Sequence, residues 1–108
     1  MNVNELGERR IIEIIRNRLE MPKMPIRFGD DVAAYDIGDG NLAVLKTDML
    51  VDKTDVPRGM SLWQAARKAV VMNISDFAAK GVKPLAMLVS IGLPRNLTRK
   101  DVEAIGKG

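Results

Sequence analysis

Leu6, Ile11, Ile12, Ile14, Ile15 and Leu19 recur at close to helical spacing, with Arg9, Arg10, Glu13, Arg16 and Arg18 between them. That periodicity predicts an amphipathic helix from Asn4 to about Glu20. Asn4 is the expected N-cap, and Glu5 and Glu8 suit the positive end of the helix. Pro22 and Pro25 in "MPKMP" stop it and open a linker. The pattern then changes period. Val32 to Ile37 and Leu42 to Leu45 read as short strands on either side of "GDG", residues 38–40, which predicts a β-hairpin. In an antiparallel pair the start of one strand lies beside the end of the next. "GDD" (29–31) and "KTD" (46–48) are therefore expected at the same end of the sheet.

Residues 51–60, "VDKTDVPRGM", read as a polar loop. Ser61 is placed to cap a long, largely buried helix from Leu62 to about Lys80, with Gly81 in the C′ position and Pro84 just beyond. Leu85 to Leu93, "LAMLVSIGL", is an apolar run that predicts a strand buried on both faces. Thr98, with Asp101 three residues on, forms the signature of a capping box for a last helix. The order αββαβα predicts an α+β (mixed α/β) fold, with helices packed on a small sheet. The 108 residues make one small domain, 1–108. The last helix has barely begun when the chain stops at "AIGKG", so the chain reads as a truncated domain.

Composition narrows the chemistry. With 0 Cys there is no disulfide framework and no thiolate; with 0 His there is no Ser-His or Cys-His pair and no typical zinc site. A metal bound here would be held by oxygen. The apolar runs are far short of the ~20 residues that span a bilayer, and the N-terminus lacks the apolar core of a signal peptide. The expectation is a cytoplasmic protein without membrane partners. The net charge of +3 divides unevenly, with an acidic excess in the first half and a basic excess in the second. The bases are scattered and aromatics are few, so nucleic acid is not an expected partner.

The acids are more informative. Asp30, Asp31 and Asp48 should converge at one end of the hairpin, and Asp76 stands in the apolar segment "NISDFAAKG", residues 73–81. Each has an ordinary structural reading. Asp30 and Asp31 suit a turn or cap, and Asp48 suits a strand end. Asp76 can be a buried carboxylate paired with a loop amide or with Lys80, one turn away. Taken together, several carboxylates at one site repel one another, and a divalent cation relieves that repulsion. An oxygen-only set favours Mg²⁺ or Ca²⁺, and Thr47 can add a ligand. Mg²⁺ joined to carboxylates and phosphates is the apparatus of phosphoryl transfer. On this reading Lys80 lies along the surface, and Asp76 is the acid left least compensated when no metal is bound. The chain has no G-x-x-x-x-G-K-[ST] loop and no G-x-G-x-x-G.

"ELGERRIIEII", "GDDVA" (29–33), "TDML" (47–50), "MNISDFAAKG" (72–81) and "PLAMLVSIGLP" (84–94) together resemble the N-terminal half of the thiamine-monophosphate kinases, especially the archaeal ones. These belong to the aminoimidazole ribonucleotide synthetase-like superfamily, with hydrogenase maturation and selenophosphate synthetase enzymes as relatives. The resemblance implies transfer of the ATP γ-phosphate to thiamine monophosphate, giving thiamine diphosphate with Mg²⁺. It implies Mg²⁺ ligands at Asp31, Thr47, Asp48 and Asp76, with Asp30 adjacent, and it singles out no side chain as a catalytic acid, base or nucleophile. It implies a homodimer whose N-terminal sheets form a barrel across the interface, near the nucleotide. Asp55 stands where bacterial members carry a thiamine-contacting His, and can approach the cationic substrate. Lys46, often Ser or Thr in relatives, is a phosphate contact or a solvated side chain. The "GGD" motif and C-terminal domain of the family are absent from the chain, so this fragment alone is expected to be inactive. The alternatives are another member of the superfamily or a non-catalytic dimerisation fragment.

Overall fold

A computed structural model describes all 108 residues. The first helix, α1 (Val3–Arg16), starts one residue earlier than the hydrophobic pattern suggests, and its cap lies two residues earlier. Asn2 is the cap: its side chain accepts from the Glu5 amide at 3.1 Å, while the Glu5 carboxylate accepts from the Asn2 amide at 2.7 Å. A capping box needs a side chain that can accept a hydrogen bond, such as Glu, Gln or Asp, at the third helical position. Asn2 finds Glu5 there, whereas Asn4 would find Gly7, whose φ of 73° kinks the helix. The helix also ends early. The Arg18 and Leu19 amides donate to Ile15 and Arg16, three residues back, so the chain tightens out of α geometry.

The hairpin forms as expected. β1 (Ala33–Gly38) pairs antiparallel with β2 (Asn41–Leu45), from Ala33 opposite Leu45 to Gly38 opposite Asn41, with a bulge between Asp36 and Gly38. Asp39 and Gly40 both have positive φ, 54° and 75°, as a two-residue type I′ turn requires. The register at Ala33 and Leu45 carries the GDD segment and Lys46-Thr47-Asp48 to one end of the sheet, as topology demands.

Residues 51–60 are not wholly loop. α2 (Asp52–Asp55) is a single turn, closed by the Asp55 carboxylate accepting from the Val51 amide at 2.6 Å. α3 (Leu62–Ala79) begins at Ser61, which forms a capping box with Gln64. It stops in a Schellman arrangement. The Val82 amide donates to Phe77, the Gly81 amide donates to Ala78, and Gly81 takes φ 68°. α4 (Arg99–Lys107) starts in the predicted Thr98–Asp101 capping box. It packs against α3, and a Cβ at Gly108 would collide with the Trp63 carbonyl.

Two expectations fail. Leu85 to Leu93 is not a buried strand: the segment is irregular, and Leu85, Leu88, Val89 and Ile91 are 94%, 102%, 66% and 58% exposed. A strand needs a neighbour for its amides and carbonyls, and the two-stranded sheet takes no third strand. The order is therefore αββααα, a small α+β arrangement. Nor are the helices packed on the sheet, because no helix Cα lies within 8 Å of a strand Cα. Only Val32, Ala34 and Ala65 are buried. The radius of gyration is 17.3 Å, against about 13 Å for a compact chain of this length. The chain thus consists of α1, a hairpin and a helix pair, with much apolar surface uncovered.

The bonds from Thr98 hold the Asp101 carboxyl below its ordinary value. A group shifted down stabilises the fold above that value and stops doing so as it protonates. Amide protection, measured relative to intrinsic exchange at the same pH, should therefore fall in the first turn of α4 as pH drops below 3.8, before it falls at the Ser61-capped start of α3, whose cap does not titrate.

Candidate functional site

β2 ends at Leu45, and the next residue turns inward. Val32 and Ala34 are buried, Ala34 pairs with Val44, and the two-residue period puts Lys46 on the same face. Its side chain is only 4% exposed. An isolated ammonium there would be strongly unfavourable. Two acids compensate it: Asp76 of α3 at 2.5 Å and Asp48 at 3.4 Å. The hydrogen bond that the ammonium donates to Asp76 raises the Lys46 pKa above the ordinary lysine value, against the opposing effect of burial, and Asp48 adds to it. Asp76 is thus neither uncompensated nor paired with Lys80. Lys46 is its partner, and Lys46 is not a solvated side chain.

Lys80, expected along the surface, bridges α3 to the GDD segment. Its ammonium lies 2.8 Å from the Asp30 carboxylate. Asp30 also accepts from the Val32 amide at 3.2 Å, an Asx turn that shapes the entry to β1. The bond from Lys80, helped by Val32, lowers the Asp30 pKa. Lys80 in turn is raised, mainly by Asp30 and also by the nearby charge of Asp31. Asp31 itself is exposed, and its carboxylate enters no salt bridge or side-chain hydrogen bond. Asp48 uses its other oxygen on the Met49 amide at 2.9 Å.

The predicted site residues therefore fall into two adjacent clusters at one end of the hairpin, both tied to the second half of α3. Asp48 and Asp76 share the Lys46 ammonium; Asp30, with Asp31 beside it, takes Lys80. No three acids come close enough to hold one ion among themselves. Thr47 is exposed and lines a cleft of about 450 Å³ with Asp30, Asp31 and Lys46, whose apolar wall includes Ile12, Met21, Met24 and Phe28. Asp55 stands apart. One carboxylate oxygen closes the α2 turn, and Lys68 donates to its carbonyl.

A search of known protein families matches residues 29–108 to "AIR synthase related protein, N-terminal domain". The chain belongs to this family. Among curated proteins it is similar to the thiamine-monophosphate kinase of Nitrosopumilus maritimus, 41% identical over 98% of this chain and 32% of that protein. It is 45% identical to the enzyme of the same name from Pyrococcus horikoshii over 74% of this chain and 26% of that protein. With the Mycobacterium tuberculosis enzyme the identity is 32%, over 98% and 32%. The chain thus spans about a third of the length of the curated relatives it matches. No solved structure matches. No helix is long and apolar enough to cross a membrane.

Sequence reasoning undervalued two side chains in this AIR synthase related domain, the lysines. Alternation along β2 carries the signal for Lys46, since Val44 and Lys46 share a face. No local pattern pairs Lys80 with Asp30, fifty residues away.

Removing one partner of a buried ion leaves the other uncompensated. Asp76→Ala should lower unfolding free energy by about 2 kcal/mol, because Lys46 keeps only its longer contact. Asp30→Ala, on the more exposed pair, should have a clearly smaller effect. Denaturant unfolding of both variants measures the contrast.

Proposed function

We propose that this chain is the Mg²⁺- and nucleotide-binding N-terminal domain of a thiamine-monophosphate kinase, which passes the ATP γ-phosphate to thiamine monophosphate to give thiamine diphosphate. The observation that carries this reading is the meeting of Asp48 and Asp76, from separate motifs, around a single positive charge. Two carboxylates that already share a cation are a fitting donor set for Mg²⁺. That ion is commonly held by one or two carboxylates, with waters and substrate phosphates completing its shell. Bound there, Mg²⁺ would neutralise charge on the phosphate groups of both substrates.

The chain's own residues supply positioning. In this reading Asp48 and Asp76 are the principal ligands, and the uncommitted carboxylate of Asp31 and the exposed Thr47 complete the protein's share. Asp30 serves mainly to hold the GDD segment against α3 through Lys80. Lys46 has three donor hydrogens and is suited to phosphate oxygens as well as carboxylates. Asp55, with one carboxylate oxygen free of hydrogen bonds, is the proposed contact for the cationic ring of thiamine. The protein would work in the cytoplasm on small-molecule substrates.

The uncovered apolar surface supports a homodimer. Leu85, Leu88, Val89 and Ile91 form a run whose burial would contribute roughly 1.5–3 kcal/mol per side chain. A second copy that supplied strands beside it would turn the two-stranded sheet into part of a larger one, a barrel across the dimer.

Protein made from its complete reading frame, given ATP, Mg²⁺ and thiamine monophosphate, should yield thiamine diphosphate by chromatography. Asp48→Asn should reduce turnover by about a hundredfold or more, the scale of losing a metal ligand or its support. Wild-type protein that makes no thiamine diphosphate would refute the reading. The 108-residue chain alone should show no turnover. For the dimer, Leu88→Asp should shift the protein to monomer in light scattering, and an unchanged dimer would place the interface elsewhere.

A further inference from the structure

We infer that Lys46 is the resident cation of this site: its ammonium holds the Asp48 and Asp76 carboxylates together until a divalent cation displaces it. The inference rests on the proposed role of these carboxylates as Mg²⁺ ligands and adds a regulated occupancy to it.

Three observations carry it. The ammonium touches both proposed ligands, at 2.5 Å from Asp76 and 3.4 Å from Asp48, so it stands where a shared metal ion would draw the same two groups. The exposures are graded: Lys46 is 4% exposed, Asp76 29% and Asp48 44%. The carboxylates therefore meet solvent while the lysine side chain is almost fully covered, so an arriving ion meets the acids first. The third observation is where the lysine is anchored. Its backbone continues β2 directly after Leu45, so the main chain is held by the hairpin while the side chain hangs on a flexible four-carbon stem. Such a stem can move its charge without moving the strand. The planar fork of an arginine would be committed to its carboxylates.

The physical consequence is competition. Without Lys46, two partly buried carboxylates would repel each other and spread apart. With it, the pair stays assembled, but an incoming Mg²⁺ must overcome one positive charge already in place. Free Mg²⁺ is therefore bound more weakly than the two carboxylates alone would bind it. Once displaced, the ammonium is free for an anion. A Mg²⁺ ion arriving with phosphate oxygens satisfies both changes at once, whereas bare Mg²⁺ satisfies only one. The site thereby favours metal delivered with a phosphate ligand over metal alone.

The test uses protein from its complete reading frame, MgCl₂ as the only probe, and no nucleotide. Calorimetry gives the Mg²⁺ dissociation constant for wild type and for Lys46→Met, which keeps the stem and removes the charge. NMR follows the Lys46 ammonium resonance of the wild type, assigned with Lys46→Arg. The expected result is Mg²⁺ binding tighter in Lys46→Met by on the order of tenfold, the scale of one removed neighbouring charge in screened solution. The wild-type ammonium signal should exchange faster and disappear as Mg²⁺ saturates. Equal dissociation constants with an unmoved ammonium signal would overturn the inference and leave the Mg²⁺ assignment standing. If Mg²⁺ binds neither protein and leaves the Asp48 and Asp76 signals unchanged, the Mg²⁺ assignment falls and this inference with it. The NMR measurement decides the matter in wild type should Lys46→Met fail to fold.

Discussion

The Lys46 ammonium joins parts of the chain that otherwise barely meet. The hairpin closes on its own ladder and type I′ turn, and α3 with α4 closes through capping boxes and mutual packing. Only three residues of the chain are buried, so apolar burial holds these units together weakly. What crosses between them is charge: Lys46 to Asp76, and Asp30 to Lys80. The first of these crossings is the firmer. Its cation is almost fully withdrawn from water, so leaving it unpaired is expensive, whereas the second pair is more exposed and correspondingly weaker.

This arrangement assigns structural work to the acids that also carry the proposed chemistry. Asp76 anchors α3 to the end of β2, and Asp48 stands beside the same ammonium. A site built this way is assembled before any ligand arrives. Its geometry depends on the balance between a lysine and whatever else offers positive charge. Asp30 and Asp31, adjacent in sequence, have separated roles: one is spent on an Asx turn and an ion pair, the other is left exposed. The division follows from reach, since the Lys80 ammonium at the end of α3 sits on one carboxylate and only near the other.

Much of the local structure was legible in the residues. The Ser61 and Thr98 caps, the Gly81 stop and the Asp39-Gly40 turn each rest on chemistry within a few positions, and each appears where that chemistry puts it. The convergence of GDD with KTD followed from antiparallel pairing alone. The misreadings share a different cause. By identity alone Asn4 suits a cap, but Gly7 cannot supply the reciprocal partner that Glu5 supplies to Asn2. Leu85 to Leu93 has every compositional mark of a central strand. Being a strand, however, depends on a neighbour, and none lies within these residues. Lys46 was readable as inward-facing from the alternation, but not as the hub, because Asp76 is thirty positions away and nothing local joins them.

The apolar run from Leu85 to Leu93 also has a bearing on how the chain behaves in a crowded solution. Nine consecutive residues without a charge, rich in Leu, Val and Ile, form the kind of segment that recruits unrelated strands and seeds aggregates. Pro84 and Pro94 stand at its two ends. Each lacks an amide donor, so a ladder started on this run cannot propagate past either. The prolines act as gatekeepers. They restrict any strand that adds here to about 30 Å, nine residues at ~3.3 Å each, which is long enough for a specific partner and too short for an open-ended sheet.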